Sequence, residues 1–350
     1  MLGRYKKLIP KIVEAINFKE SDFILIQLWG NQDYYEILNT FSQEIAKKGG
    51  VPIKWHNSKK EIKKYYSLVD KKYLKFPDKY FSLFDKVDMV IDLMAESIAP
   101  DQNFPSDKIK YFAYNMKALF DKFTKKKAFI QVRIPSEELA ESAAIDSAVF
   151  ENVILKALDI DYKELNRKAE KMINFLKTKN KVEIITGKNN KMTFKINNKW
   201  YKDVGKGDLP CGEIYTAPKT KSAHGSIVID KLNVNGKFLV NVELKFEEGK
   251  LVGCTESEVF NYLANQKGDK DLVGEFGLGL NNNINEYIGY SLTDEKISGT
   301  MHIAIGANKM FGGDNKASHH WDFIFKPEKV YIDGKKIFEK GKYLSPMSFA

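Results

Sequence analysis

The sequence is short of cysteine, arginine and histidine and has no long apolar run, and each shortage excludes something. Among its 350 residues only Cys211 and Cys254 are cysteines. Two are too few for a disulfide framework, and neither lies in a Cys-x-x-Cys arrangement, so a reducing, cytoplasmic setting is expected. No apolar run approaches the ~20 residues that cross a bilayer, so no membrane partner is expected. The N-terminal stretch MLGRYKKLIPKIVEAINF interrupts its apolar positions with Lys11 and Glu14, which reads as an amphipathic helix and not as the core of a signal peptide. The formal charge is +10, yet the only arginines are Arg4, Arg133 and Arg167. Arginine is the side chain that forks onto phosphates and guanines, so a lysine-coated surface fits better than nucleic-acid recognition.

What remains is an ordinary globular composition, 43% apolar and 29% charged, in a chain long enough for two domains with substantial cores. In the first half, strand-like runs FILIQLW (23–29), VPIKW (51–55), VDMVIDL (87–93) and AFIQVRIP (128–135) alternate with helical patterns. This alternation predicts an α/β domain with a parallel sheet over residues 1–180. From Lys181 the texture changes to short strand-like runs separated by Gly and Asn turns. That pattern predicts a second, α+β and largely antiparallel domain over 181–350.

Histidine is scarce but not scattered. Three of the five histidines, His302, His319 and His320, fall within GTMHIAIGANKMFGGDNKASHHWDFIF (299–325). If HHWDF opens a strand, His320 and Asp322 leave one face while His319 and Trp321 leave the other. A neighbouring strand, TMHIAIG, would bring His302 to the same point. Two imidazoles and a carboxylate suit zinc, cobalt, manganese or iron.

Two carboxylates stand out as well. Glu213 lies in LPCGEIYTAP, and Glu275 lies among glycines and apolar residues in GEFGLGLN, an unusual environment for a charge without a partner. Asp294 and Glu295 in TDEKISGT are either orienting partners for histidine ligands or a charged turn. His-Glu-x-x-His is absent, so this is not a metalloprotease with two ligands on one helix, and neither a Gly-x-Ser-x-Gly elbow nor a phosphate loop ending in Gly-Lys-Ser/Thr is present.

Taken in order, LPCGEIYTAP, GEFGLGLN, DEKISGTMHIAIG and HHWDF resemble the motifs of the thermophilic aminopeptidase family, dinuclear metallopeptidases typified by aminopeptidases T and S. The resemblance implies metal ligands at Glu213, Glu275, His302, His320 and Asp322, with Glu213 or Glu275 as the catalytic carboxylate. It further implies two divalent ions (Zn, Co, Mn or Mg), peptide substrates cleaved at the first residue, and a homodimer. One position departs from the pattern. The family carries a tyrosine ligand seven residues after the first histidine, where this chain has Lys309, preceded by Asn308. Two alternatives use the same residues. His302, His320 and Asp322 match the ligand set of a mononuclear iron(II) ring-cleaving dioxygenase, a distant relative of this fold, and Lys309 is compatible with an inactive binding relative.

Overall fold

The computed structural model describes residues 2–100, 103–234 and 236–348. The chain forms two compact units: residues up to Asp159 with Gly205–Pro210, and Ile160–Val204 with the chain from Cys211 onward. Residues 160–180 therefore belong with the second unit. They carry the helix Tyr162–Leu176, which buries Tyr162, Leu165, Ala169, Met172 and Leu176 along one stripe. The Asp161 carboxylate caps that helix, accepting from the backbone N–H groups of Lys163 and Glu164 at 3.0 Å each, which satisfies two otherwise unpaired donors.

The first unit is α/β. Its parallel sheet runs in the order Val51–Asn57, Phe23–Trp29, Met89–Met94, Ala128–Arg133, Asp208–Leu209. FILIQLW does not alternate because the strand is central, and every residue after Phe23 is buried, as expected for a parallel sheet covered by helices on both faces. The helices present matching stripes, such as Ile37, Leu38, Phe41 and Ile45 of Tyr35–Lys47. Burial of each such side chain contributes roughly 1.5–3 kcal/mol.

The second unit is antiparallel, with two sheets. One has eight strands, from Lys250–Cys254 at one edge to Lys342–Tyr343 at the other. The other has five, in the order His320–Phe325, Met301–Gly306, Val273–Gly279, Glu213–Thr216, Tyr201–Asp203. Phe276, Ile303 and Phe323 are register partners across this smaller sheet and are all fully buried. The Phe276 ring meets Phe194 of the larger sheet edge-on at 5.1 Å, so this face is core. Strand periodicity then commits the intervening residues to the opposite face.

Candidate metal centre

That opposite face collects the chemistry. Register pairs Asp203 with Glu213 and Glu213 with Gly279. Tyr215 pairs with Gly277 and Gly277 with His302, while Glu275 pairs with Ala304 and Ala304 with Asp322. Directly opposed residues share a face, so Glu213, Glu275, His302, His320 and Asp322 converge from four strands. The structure brings together all five residues that the family resemblance implies as ligands.

Small residues make the convergence possible. A Cβ at Gly277 would come within 2.0 Å of His302 Cε1, because the imidazole lies directly across that glycine. A Cβ at Gly279 would come within 2.1 Å of the Ile297 carbonyl oxygen and 2.7 Å of that of Glu295. The chain segment 295–297 thus crosses over the sheet at Gly279. The glycines of GEFGLGLN serve close approach of the site's own groups.

The distances define two linked sets of donors. Glu275 sits between the histidines, with Oε1 3.4 Å from His302 Nε2 and Oε2 3.0 Å from His320 Nε2. Asp322 Oδ1 is 3.3 Å from His320 Nε2, and Glu213 Oε2 is 3.6 Å from His302 Nε2. Glu275, His320 and Asp322 offer three donor atoms within 4.8 Å of one another, and so do Glu213, Glu295 and His302. His320 is oriented by its Nδ1, which is 2.8 Å from the Ala307 carbonyl oxygen; such an anchor fixes ring and tautomer and leaves Nε2 for the centre. His319 turns away: its ring meets Tyr262, which also packs against Trp321.

One participant, Lys296, is not evident in the sequence, and another, Glu295, is left open there between an orienting partner and a charged turn. Lys296 is only 3% exposed, and its Nζ lies 2.5 Å from Glu213 Oε1, 2.9 Å from Glu295 Oε1 and 3.7 Å from Asp203 Oδ2. Glu295 is buried beside it, whereas its neighbour Asp294 turns to accept the backbone N–H groups of Ile288 and Gly289 at 3.1 and 2.6 Å. Of the two acids in TDEKISGT, one is structural and the other belongs to the centre. The tyrosine position of the resembled family is filled by an exposed Lys309 at the start of a 3-10 turn. Asn308 is no substitute ligand: its Nδ2 donates to the Gly274 carbonyl at 3.0 Å and its Oδ1 accepts from Asn315 N at 2.8 Å.

The electrostatics are those of a site awaiting positive charge. Burial opposes protonation of His302, but the hydrogen bond with Glu275 and the Glu213 charge raise its pKa to about 9. Burial likewise opposes protonation of His320, yet Asp322 and Glu275 raise it to about 11. In return, and against its own burial, Asp322 is held down to about 2 by the His320 charge. Glu213 moves the other way: burial pushes it up to about 8, with the Lys296 ammonium opposing. Lys296, despite burial, is held well above its ordinary range by Glu213, Glu295 and Asp203. Glu213 Oε2 is buried without a hydrogen-bond partner. Such an atom is costly unless a cation or proton satisfies it, so the nitrogen and oxygen donors fit a divalent metal.

Comparisons with known proteins agree with this chemistry. Wild-type AmpT from Thermus thermophilus matches with a TM-score of 0.70 at 15% identity, covering 97% of this chain and 100% of that one. At that identity the likeness is one of fold. No curated protein matches the chain significantly. Residues 1–343 match the model of the thermophilic metalloprotease family, M29. The chain therefore belongs to the thermophilic metalloprotease (M29) family, and is a metal-dependent peptide hydrolase.

Proposed function

We propose that this protein is an aminopeptidase that removes the N-terminal residue of peptides at a centre of two divalent ions held by Glu213, Glu275, His302, His320 and Asp322. The observation that carries the reading is the position of Glu275, whose two oxygens are divided between His302 and His320 and so link the two donor sets. Charge supports it too. Asp203, Glu213, Glu275, Glu295 and Asp322 oppose the single ammonium of Lys296, leaving a deficit that two divalent cations neutralise with the imidazoles uncharged. The mixed donors suit zinc, cobalt or manganese.

Bound ions of this kind supply a water of lowered pKa and polarise the scissile carbonyl. The residues of the chain do the rest. Lys296 fixes Glu213 through Oε1, which leaves Oε2 facing His302. Either Glu213 or Glu275 would accept a proton and return it to the leaving amine, through whichever oxygen coordination leaves free; Glu213 Oε2 is the one that no hydrogen bond engages. Glu275, engaged at both oxygens, holds the histidines in register. The free amino terminus of the peptide would bind one of the ions or a nearby acid of the site, which confines cleavage to the first residue. The family match favours hydrolysis over the dioxygenase alternative.

The reading extends to a cytoplasmic homodimer, supported by the resemblance of the sequence motifs and by Cys211 and Cys254, which are not disulfide-bonded. No helix among the described residues is long and apolar enough to cross a membrane. The test uses one peptide with a free and with an acetylated N-terminus. Cleavage of the free peptide only, lost on chelation and restored by zinc, cobalt or manganese, is the expected result. Equal cleavage of both contradicts an aminopeptidase.

A further inference from the structure

We propose that Glu295 is a metal ligand in this chain, supplying the third unshared donor, beside the linking Glu275, to the ion held by Glu213 and His302. This inference rests on the two-ion reading above.

The need for such a donor is visible in the site. Glu275, His320 and Asp322 form a complete triad on one side. On the other side, Glu213 and His302 would be left with two side chains of their own. The expected tyrosine is absent, Lys309 is exposed and Asn308 is engaged with Gly274 and Asn315. Glu295 closes the gap, since its carboxylate lies with Glu213 and His302 in a group whose donor atoms are all within 4.8 Å of one another, all three residues being buried.

Its position is built and not incidental. The backbone at Glu295 and Ile297 passes over Gly279 at distances that exclude any side chain there. Lys296 bridges Glu213 Oε1 and Glu295 Oε1 at 2.5 and 2.9 Å, holding the two carboxylates in a fixed relation. The same arrangement leaves Glu213 Oε2 buried, without a hydrogen-bond partner, facing His302. A carboxylate is an anionic oxygen donor, as a tyrosinate is, so it meets the same chemical requirement from a different segment of the chain.

The experiment is metal content on the full-length protein, stripped and reloaded with zinc, for wild type, Glu295→Gln and Glu295→Asp. Glutamine keeps an oxygen for Lys296 but gives up the anionic donor; aspartate keeps the charge but falls short. Wild type is expected to bind two ions. Glu295→Gln is expected to retain one at the zinc concentration that saturates wild type, and Glu295→Asp to bind its second ion at least ~10-fold more weakly. Cobalt absorption reports the same loss independently, and circular dichroism checks the fold. Two ions bound with unchanged affinity in the variants overturn the role of Glu295, whereas one ion in wild type overturns the two-ion reading itself.

Discussion

The His302 imidazole occupies the space that a side chain at Gly277 would need: a Cβ there would lie 2.0 Å from Cε1 and 2.1 Å from Nε2. The ring is positioned as much by a missing methyl group as by its hydrogen bonds. Gly277→Ala is therefore expected to displace His302 and lower the hydrolytic rate at least ~100-fold, the scale of loss for a misplacement of about 1 Å at a reacting centre. Gly3→Ala, where an added Cβ meets nothing within 4 Å, serves as the control and should leave the rate unchanged. Steady-state hydrolysis of an aminoacyl-p-nitroanilide checks both.

Metal uptake should release protons. Without metal, His302 and His320, with pKa values of about 9 and about 11, both carry a proton at pH 7, and both must lose it to coordinate. Glu213, raised to about 8, is protonated at pH 7 as well, so affinity is expected to rise with pH up to about 9 and beyond, with close to three protons released per chain at pH 7. Calorimetric titrations in buffers of different protonation enthalpy count them, and release of none contradicts the ligand assignment. The sign for the stability of the metal-free protein is opposite. Above the unfolded-state value near 6.5 the folded protein holds protons that the unfolded chain has lost, so stability falls as pH rises through about 9 and about 11. Glu213, raised to about 8, acts in the same direction at lower pH. Melting temperatures of the metal-free protein should decline from pH 6.5 to 9.5.

Lys296 should matter most when metal is absent. Lys296→Met leaves Glu213, Glu295 and Asp203 buried without their shared cation, a change expected to cost about 3–5 kcal/mol. Denaturant unfolding with and without zinc tests this, since bound metal supplies the missing positive charge and should recover much of the loss. An unchanged midpoint in the metal-free protein would show that the ion pair is dispensable.

Asn308 should prove structural. Asn308→Ala removes the hydrogen bonds to Gly274 O and from Asn315 N and is expected to destabilise by about 1–3 kcal/mol while leaving metal stoichiometry intact. A lost ion in that variant would make Asn308 a ligand, contrary to this expectation.

These residues also mark what the sequence makes legible. His320 and Asp322 are readable because two-residue spacing puts both on one strand face. Glu275 is readable because a carboxylate among glycines needs a partner. The parallel and antiparallel halves follow from the change of periodicity near Lys181. Lys296 is not readable, because DEK in a turn looks solvated until the segment is seen to cross the sheet at Gly279. The different fates of Asp294 and Glu295 are equally hidden, since one residue of offset sends the first to the backbone of Ile288 and Gly289 and the second into the centre. The helix Tyr162–Leu176 looks like a bridge between halves when read by periodicity alone. Its place in the second unit depends on long-range packing that local patterning does not encode.

The central claim is tested most directly by metal content and peptide hydrolysis measured on the same sample, for wild type and for His320→Ala and Glu275→Ala. Two divalent ions per wild-type chain with release of the N-terminal residue, and loss of activity together with at least one ion in the folded variants, is the predicted result. One iron per chain with oxygen consumption, or full hydrolytic activity in either variant, contradicts it.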